Sequence, residues 1–271
     1  RVCSYSKYQY SCDSKNQMSY TIAITGKGGT GKTTVAALVV SRLAARKKGP
    51  VLAVDADPNT CLDGVLGVEV RKTIGGVREE AREIAGKGMA AGFSKQQLLE
   101  MKIAEAMVEG TDYDLIAMGR PEGPGCYCFA NNVLKQTLEQ VSAHYPYIVL
   151  DNEAGLENLS RRIVRKVDLM IMVADPSRRG LDTARRLHRL ASEMEIEYSR
   201  LVLVVNRVRS GGELSDSAND IGKELGSDLI IGLPDNDEVA EFSENGRPLG
   251  EISPGNPVLE RIDTMLGSVE L

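Results

Sequence analysis

Glycines space two lysines and two threonines in Gly26-Lys27-Gly28-Gly29-Thr30-Gly31-Lys32-Thr33, a pattern suited to capturing a polyphosphate. Glycine backbone can curl its N–H groups around anionic oxygens, and a following helix presents its positive end to the same anion. In such a loop Lys32 is expected to reach the β- and γ-phosphates, and the Thr33 hydroxyl to ligate Mg²⁺. Lys27 is a second lysine that an ordinary loop of this kind does not require. Spacing alone leaves two readings, a solvated loop residue or a cation reaching across an interface to a partner's phosphates.

Three further clusters stand where strands should end. Asp55 and Asp57 lie in Val54-Asp55-Ala56-Asp57-Pro58-Asn59, where one acid could help hold Mg²⁺ and the other position water. Alone this run would read as a polar turn; the phosphate loop upstream favours the functional reading. Asp151 closes an apolar run ahead of Asn152-Glu153-Ala154-Gly155, as expected of a Mg²⁺-associated acid followed by a glycine whose N–H can approach the γ-phosphate. Asn206-Arg207 and Pro234-Asp235 follow later apolar runs, where a base would lie. GTPases commonly carry Asp three residues after such an Asn. Here that position is Arg209, a donor, which leaves guanine unsatisfied and favours ATP.

Cys126 and Cys128 form a different kind of site. Two thiols one residue apart, in a loop between a strand and a helix, could converge on one soft metal ion. Two thiolates half-fill a tetrahedral sphere, and neither His144 nor His188 is at ligand spacing. A symmetric dimer would supply four thiolates around its two-fold axis. Small buried apolar residues and a redox dithiol, strained by its short spacer, are the alternatives. Four thiolates suit Zn²⁺ at least as well as Ni²⁺, so the residues leave the metal open.

The elements that must position these groups alternate. Strands are expected at Tyr20–Thr25, Val51–Asp55, Leu115–Met118, Tyr147–Asp151, Leu169–Ala174, Leu201–Asn206 and Leu229–Leu233. Helices are expected at Thr33–Arg46, Gly76–Ile84, Lys95–Val108, Asn131–Ser142, Leu181–Met194 and Ala218–Leu225, with Gly86–Phe93 as a surface loop. This rhythm implies an α/β fold, a doubly wound and mostly parallel sheet of the P-loop NTPase kind, with ligands outside the carboxyl ends of the strands. The 271 residues fit one domain, expected over 18–271. Residues 1–17 are polar and aperiodic and read as a disordered tail or extension ahead of Met18. With no Trp and three Phe the core must be aliphatic, as buried parallel strands require. The net charge of −5 argues against a nucleic-acid partner, and no apolar run reaches a membrane span. Leaving aside Cys3 and Cys12, three cysteines suit a reducing, cytoplasmic setting.

Residues 18–271 resemble the dimeric ATPases that include the nitrogenase iron protein and the division-site and plasmid-partition ATPases. The marker is Gly26-Lys27-Gly28-Gly29-Thr30-Gly31-Lys32-Thr33-Thr34, with its extra lysine. Within that class the Cys126-Tyr127-Cys128 segment and the Asp55–Asn59 run look most like the nickel-insertion ATPases, which mature carbon monoxide dehydrogenase and acetyl-CoA synthase. The resemblance implies an ATP/ADP- and Mg²⁺-dependent homodimer. Lys27, Lys32 and Asp57 would be catalytic. Gly28, Gly29, Thr30, Gly31, Lys32, Thr33, Thr34, Asp151, Gly155, Asn206, Arg207 and Pro234 would hold the nucleotide. Thr33 and Asp55 would serve Mg²⁺, and Cys126 and Cys128 of both subunits would share the nickel or zinc delivered to a client enzyme. Arg207 stands where many relatives have Lys, and Asn152-Glu153 matches no role. The rival readings are a reductase with a subunit-bridging iron–sulfur cluster and a metal-free positioning ATPase. The acidic segment Pro257–Leu271 is a poor lipid anchor. The arginines and lysine at 161, 162, 165, 166, 178, 179, 185, 186 and 189 read mainly as solvated helix faces, some able to dock an acidic client.

Overall fold

The computed structural model describes residues 19–77, 80, 101, 103–120, 126–156, 159, 163–164, 166–209 and 211–271, with 126–130 described by backbone alone. Expectations for residues 1–17, for Gly86–Phe93, for the arginines at 161, 162 and 165, and for parts of the helices at 76–84 and 95–108 lie outside the described residues.

All seven expected strands form. The chain opens with β1 (Tyr20–Gly26), α1 (Lys32–Ala45), β2 (Val51–Asp55) and the short α2 (Leu62–Leu66). A hairpin of β3 (Met107–Glu109) and β4 (Tyr113–Ala117) leads to α3 (Cys126–Val141) and β5 (Tyr147–Asp151). Then come β6 (Val167–Ala174), α4 (Arg178–Glu193), β7 (Tyr198–Val208), α5 (Asp216–Glu224) and β8 (Leu229–Pro234). Two helices, α6 (Asp237–Glu244) and α7 (Pro257–Ser268), complete it.

The strands make one eight-stranded sheet in the order β3-β4-β2-β5-β1-β6-β7-β8. Every neighbouring pair is parallel except β3 with β4. β3 corrects the expected helix end at Met107 and Val108, which pair instead with Ile116 and Leu115. Three residues are too few for a strand period to show against the helical pattern before them.

Alternation along the strands divides the core into two faces. Ile22 and Ile24 of β1, Leu169 and Ile171 of β6, and Val202 and Val204 of β7 pack on the face that carries Leu38 of α1 and Ile262 and Leu266 of α7. On the other face Leu52, Val54, Ile148 and Leu150 meet Val133, Leu134 and Leu138 of α3. Met170, Met172 and Leu203 meet Leu181 of α4 and Ile221 of α5 on that same face. Helices thus cover both sides, as a doubly wound sheet requires. Ile22, Ile24 and Leu38 are wholly buried. Burying each such side chain is worth roughly 1.5–3 kcal/mol, which fixes the strand before the glycine loop and the helix after it.

Helix α7 lies beyond the helices expected from the sequence. Its start was nonetheless marked: Asn256 accepts the Val258 N–H as N-cap, and Pro257 occupies the first turn. Its apolar stripe joins the core beside α1, and Arg42 grips Asp263 through Nε–Oδ1 at 3.0 Å and Nη2–Oδ2 at 2.6 Å.

Candidate nucleotide-binding site

The glycine loop bridges β1 and α1 at the carboxyl edge of the sheet. Gly31 precedes α1 with φ +89°, and a Cβ there would stand 2.3 Å from Asn206 Nδ2. Only glycine allows that approach. The loop is held from inside: Thr30 Oγ1 donates to Lys27 O at 2.9 Å, and Asn206 Nδ2 donates to Thr30 O at 2.9 Å. Among the described residues no side chain caps the N-terminus of α1. By contrast Ser177, Ser215, Asn236 and Asn256 cap α4, α5, α6 and α7. Among the described residues no side chain therefore caps the amide groups opening α1, which suits a phosphate.

Lys32 is buried and its Nζ donates to Lys27 O at 3.2 Å, folding the ammonium over the loop. Burial lowers its pKa, and the charges of Asp151, Asp57 and Glu153 oppose that shift. Lys27 is exposed, so its side chain can leave the loop.

Register aligns the acids. Ile24 of β1 pairs with Asp151 of β5, which pairs with Asp55 of β2. Burial pushes the Asp151 carboxyl up to about 7, against the opposing pull of the Thr33 hydroxyl bonded to it. Its Oδ1 has no hydrogen-bond partner among the described residues. A hydroxyl and an orphaned carboxylate oxygen are hard donors that fit Mg²⁺. Asp55 differs. Burial raises it to about 6, yet its oxygens already accept three backbone N–H groups, from Asp57 at 3.0 Å, Cys61 at 2.8 Å and Leu62 at 2.9 Å. These bonds make Asp55 the clamp of the 56–62 loop. Asp57 accepts the Asn59 backbone and side-chain N–H groups through one oxygen, at 2.8 and 3.0 Å.

Gly155 lies beside the loop with φ +101°, and its N–H donates to Gly26 O at 3.2 Å. Thr25 Oγ1 donates to Gly155 O at 2.6 Å, so this segment is latched to β1 from both sides of the peptide. Asn152, for which the sequence suggested no role, spans to the same strand: its backbone N–H and Nδ2 both donate to Ile24 O, at 3.2 and 3.0 Å.

A cleft of about 290 Å³ opens beside the loop, and it gathers Thr34, Asn206, Arg207 and Pro234. Sequence reasoning had found these four separately. It missed Val239 and Ser243, which α6 contributes to the same cleft. The Asn236-Asp237-Glu238 start signal of α6 could have revealed them. Arg207 sits in the left-handed region, φ 59°, at a register irregularity between β7 and β8, and its Nη1 donates to Gly29 O at 3.4 Å.

The expected loop position of Cys126 and Cys128 is corrected: their backbone opens α3. The last breakers are Pro124 and Gly125, and none separates Cys126 from Asn131, so the helix begins earlier than the apolar periodicity indicates. Their side chains lie outside the described residues. Among the described residues no group of three or more His, Cys, Asp or Glu side chains forms a metal site. His188 Nε2 is bonded to Tyr198 Oη at 2.9 Å.

A glycine-rich strand–loop–helix with a buried lysine, a threonine–aspartate pair and an adjoining cleft defines a P-loop ATPase. The chain belongs to the family described as CobQ/CobB/MinD/ParA nucleotide binding domain, whose model matches residues 21–249. An uncharacterized ATP-binding protein of Methanocaldococcus jannaschii is 43% identical over 89% of this chain and 95% of its own. The carbon monoxide dehydrogenase accessory protein CooC of Rhodospirillum rubrum is 26% identical over 86% of this chain and 90% of its own. Among solved structures, the septum site-determining protein MinD complexed with Mg-ADP from Pyrococcus horikoshii superimposes with a TM-score of 0.66. That match has 20% identity and covers 93% of this chain and 96% of that one, a likeness of fold. No helix among the described residues is long and apolar enough to cross a membrane.

Proposed function

We propose that this MinD/ParA-class ATPase is a metallochaperone. It dimerises on binding ATP, holds a metal ion through Cys126 and Cys128 of both subunits, and releases it to a nickel enzyme when ATP is hydrolysed. The observation that carries this reading is the position of the cysteines. They open α3, which follows β4 and returns toward the amino end of β5, so its first turn stands at the carboxyl edge of the sheet, the edge from which the phosphate loop also springs. Similarity to a carbon monoxide dehydrogenase accessory protein supports a client of that kind, or acetyl-CoA synthase. Nickel is preferred over zinc on that similarity.

In this reading 18–271 is one ATPase domain working in the cytoplasm, with 1–17 outside it. The loop amides of Gly28 to Thr34 and Lys32 embrace the phosphates, and Asn206, Arg207 and Pro234 border adenine. Thr33 and Asp151 hold Mg²⁺, which would neutralise charge on the β- and γ-phosphates. Asp55 supports them by fixing the loop that carries Asp57, which orients the attacking water. Lys27 crosses to the partner's phosphates, and Gly155 senses the γ-phosphate once its latch to Gly26 opens. Neither a membrane nor nucleic acid is a partner; the apolar stripe of α7 is spent inside the core.

The test is metal content per subunit and molar mass, with and without ATP. Wild type should bind one Ni²⁺ or Zn²⁺ per ATP-bound dimer. Cys126→Ala should lose stoichiometric metal and keep ATP binding; full occupancy in that variant would refute the site. Brown protein with stoichiometric iron and sulfide would favour the reductase instead. ATP-dependent pelleting with liposomes or DNA would favour a positioning ATPase.

A further inference from the structure

Three helices meet around the cleft beside the glycine loop. Helix α1 brings Val35 and Leu38, α6 brings Val239 and Ser243, and α7 brings Val258. The core fixes α1, whose Val35 and Leu38 are wholly buried. Helix α6 has eight residues, of which Phe242 alone is buried. One buried ring anchors a short helix at a point and leaves its tilt to other contacts.

Those contacts converge on Asn256. Its Oδ1 accepts the Val258 N–H at 2.9 Å and so caps α7. Its Nδ2 donates twice toward the start of α6, to Asn236 Oδ1 at 2.9 Å and to Glu238 Oε2 at 2.7 Å. Asn236 Oδ1 also accepts the Val239 N–H at 3.1 Å, the cap of α6. The other Glu238 oxygen, Oε1, accepts the Ser253 N–H and hydroxyl at 2.9 and 2.7 Å. Ser253 O accepts the Asn256 N–H at 2.9 Å, which closes a ring of bonds between the two helices. Hydrogen bonds from Ser253 and Asn256 hold the Glu238 carboxyl below its ordinary pKa, so an anion faces the Asn256 amide at neutral pH.

A cap alone would need one of these bonds, and serine does that duty for α4 and α5. Residue 256, only 3% exposed, must accept on one side and donate two N–H bonds on the other. Asparagine meets that demand: aspartate would turn an oxygen against Asn236 Oδ1 and the Glu238 carboxylate, and serine would lack the second donor. The demand comes from α6, a wall of the cleft, and not from α7. We infer that Asn256, clamped against Asn236 and Glu238, sets the width of the cleft and thereby the affinity for the base of ATP. Val239 follows Glu238 directly and Val258 lies two residues after Asn256, so the clamp fixes both walls within a turn of the groups that line the cleft. Asn256, Glu238 and Ser253 are positioning residues that act through Val239 and Val258. The inference rests on the reading that the cleft receives the base.

The experiment compares ATP with inorganic tripolyphosphate, which can fill the glycine loop but carries no base. Steady-state hydrolysis gives KM and kcat for ATP, and competition gives the inhibition constant of Mg²⁺-tripolyphosphate. Asn256→Asp keeps an acceptor for Val258 and sets like charges across the clamp. It should raise KM about 10-fold, with kcat and tripolyphosphate inhibition each within about twofold of wild type. Ser253→Ala spares both helix caps and removes one bond, so KM should rise about threefold in the same pattern. Adding Glu238→Gln to Asn256→Asp places a donor opposite the new carboxylate and should return KM to within about threefold of wild type. Equal weakening of ATP and tripolyphosphate, a kcat that falls as KM rises, or an unchanged KM in both single variants would each overturn the clamp. Val239→Phe separates that failure from failure of the cleft. If it raises KM and the clamp variants do not, the cleft stands and the clamp falls; if none of the three changes KM, the base lies elsewhere and both readings fall.

Discussion

The two ends of the proposed nucleotide site, the glycine loop and the cleft beside it, are built on opposite terms. At the glycine loop Lys32 and Asp151 are buried ionisable groups, and among the described residues the Asp151 carboxyl keeps an oxygen without a partner and α1 has no side-chain cap. At the cleft Asn206 and Asn236 are already satisfied: Asn206 bonds the loop and its neighbour, and Asn236 caps α6. The difference teaches where the ligand matters energetically. In the proposed function a polyanion and its metal would satisfy the buried groups of the loop, whereas the cleft would offer the base a shaped wall.

Removing the cation at the charged end should break the comparison most severely. Lys32→Ala should lower kcat/KM for ATP hydrolysis by about 10³-fold, read in a steady-state phosphate-release assay. Lys27→Ala should cut turnover about 10²-fold while ATP affinity stays within a few-fold. Equal loss of both would mark Lys27 as a contact within one subunit.

The buried acid gives the next effect. The Asp151 carboxyl is raised to about 7, above its value in an unfolded chain near 4. The folded state therefore binds the proton more tightly across that window. Its contribution to stability is fully present below about pH 4 and declines as pH rises toward 7. Asp151→Asn removes the decline. Without nucleotide, the variant should match wild type near pH 4.5 and exceed it by about 1–3 kcal/mol at pH 8, measured by urea unfolding. A constant offset at both pH values would show that ionisation of this carboxyl is not the cause.

The smallest effect belongs to the satisfied end. Val239→Phe narrows the cleft and should weaken ATP binding about 10-fold, with hydrolysis at saturation little changed. A comparable fall in turnover would mean that the base wall also aligns the phosphates.

How much of this was visible in the sequence follows the range of each interaction. The glycine loop, Lys32 and the acids at 55 and 151 were legible because an apolar strand and a local turn announce them together. Asn206, Arg207 and Pro234 were legible as strand ends, and the structure gathers them in one cleft. Val239 was missed because no local chemistry marks an apolar wall. Asn152 was opaque because its partner, the Ile24 carbonyl, lies on a strand 128 residues away. The cysteines were identified, but their helical start depended on where the breakers stop and not on periodicity.

The strand order has a consequence for synthesis. β1 is translated first, yet both its neighbours, β5 and β6, come from residues 147–174, and α1 leans on α7 from 257–268. A ribosome must therefore release nearly the whole described chain before the phosphate loop acquires its supports. The emerging polypeptide carries its most diagnostic motif long before that motif can hold ATP, and such distant pairings slow folding.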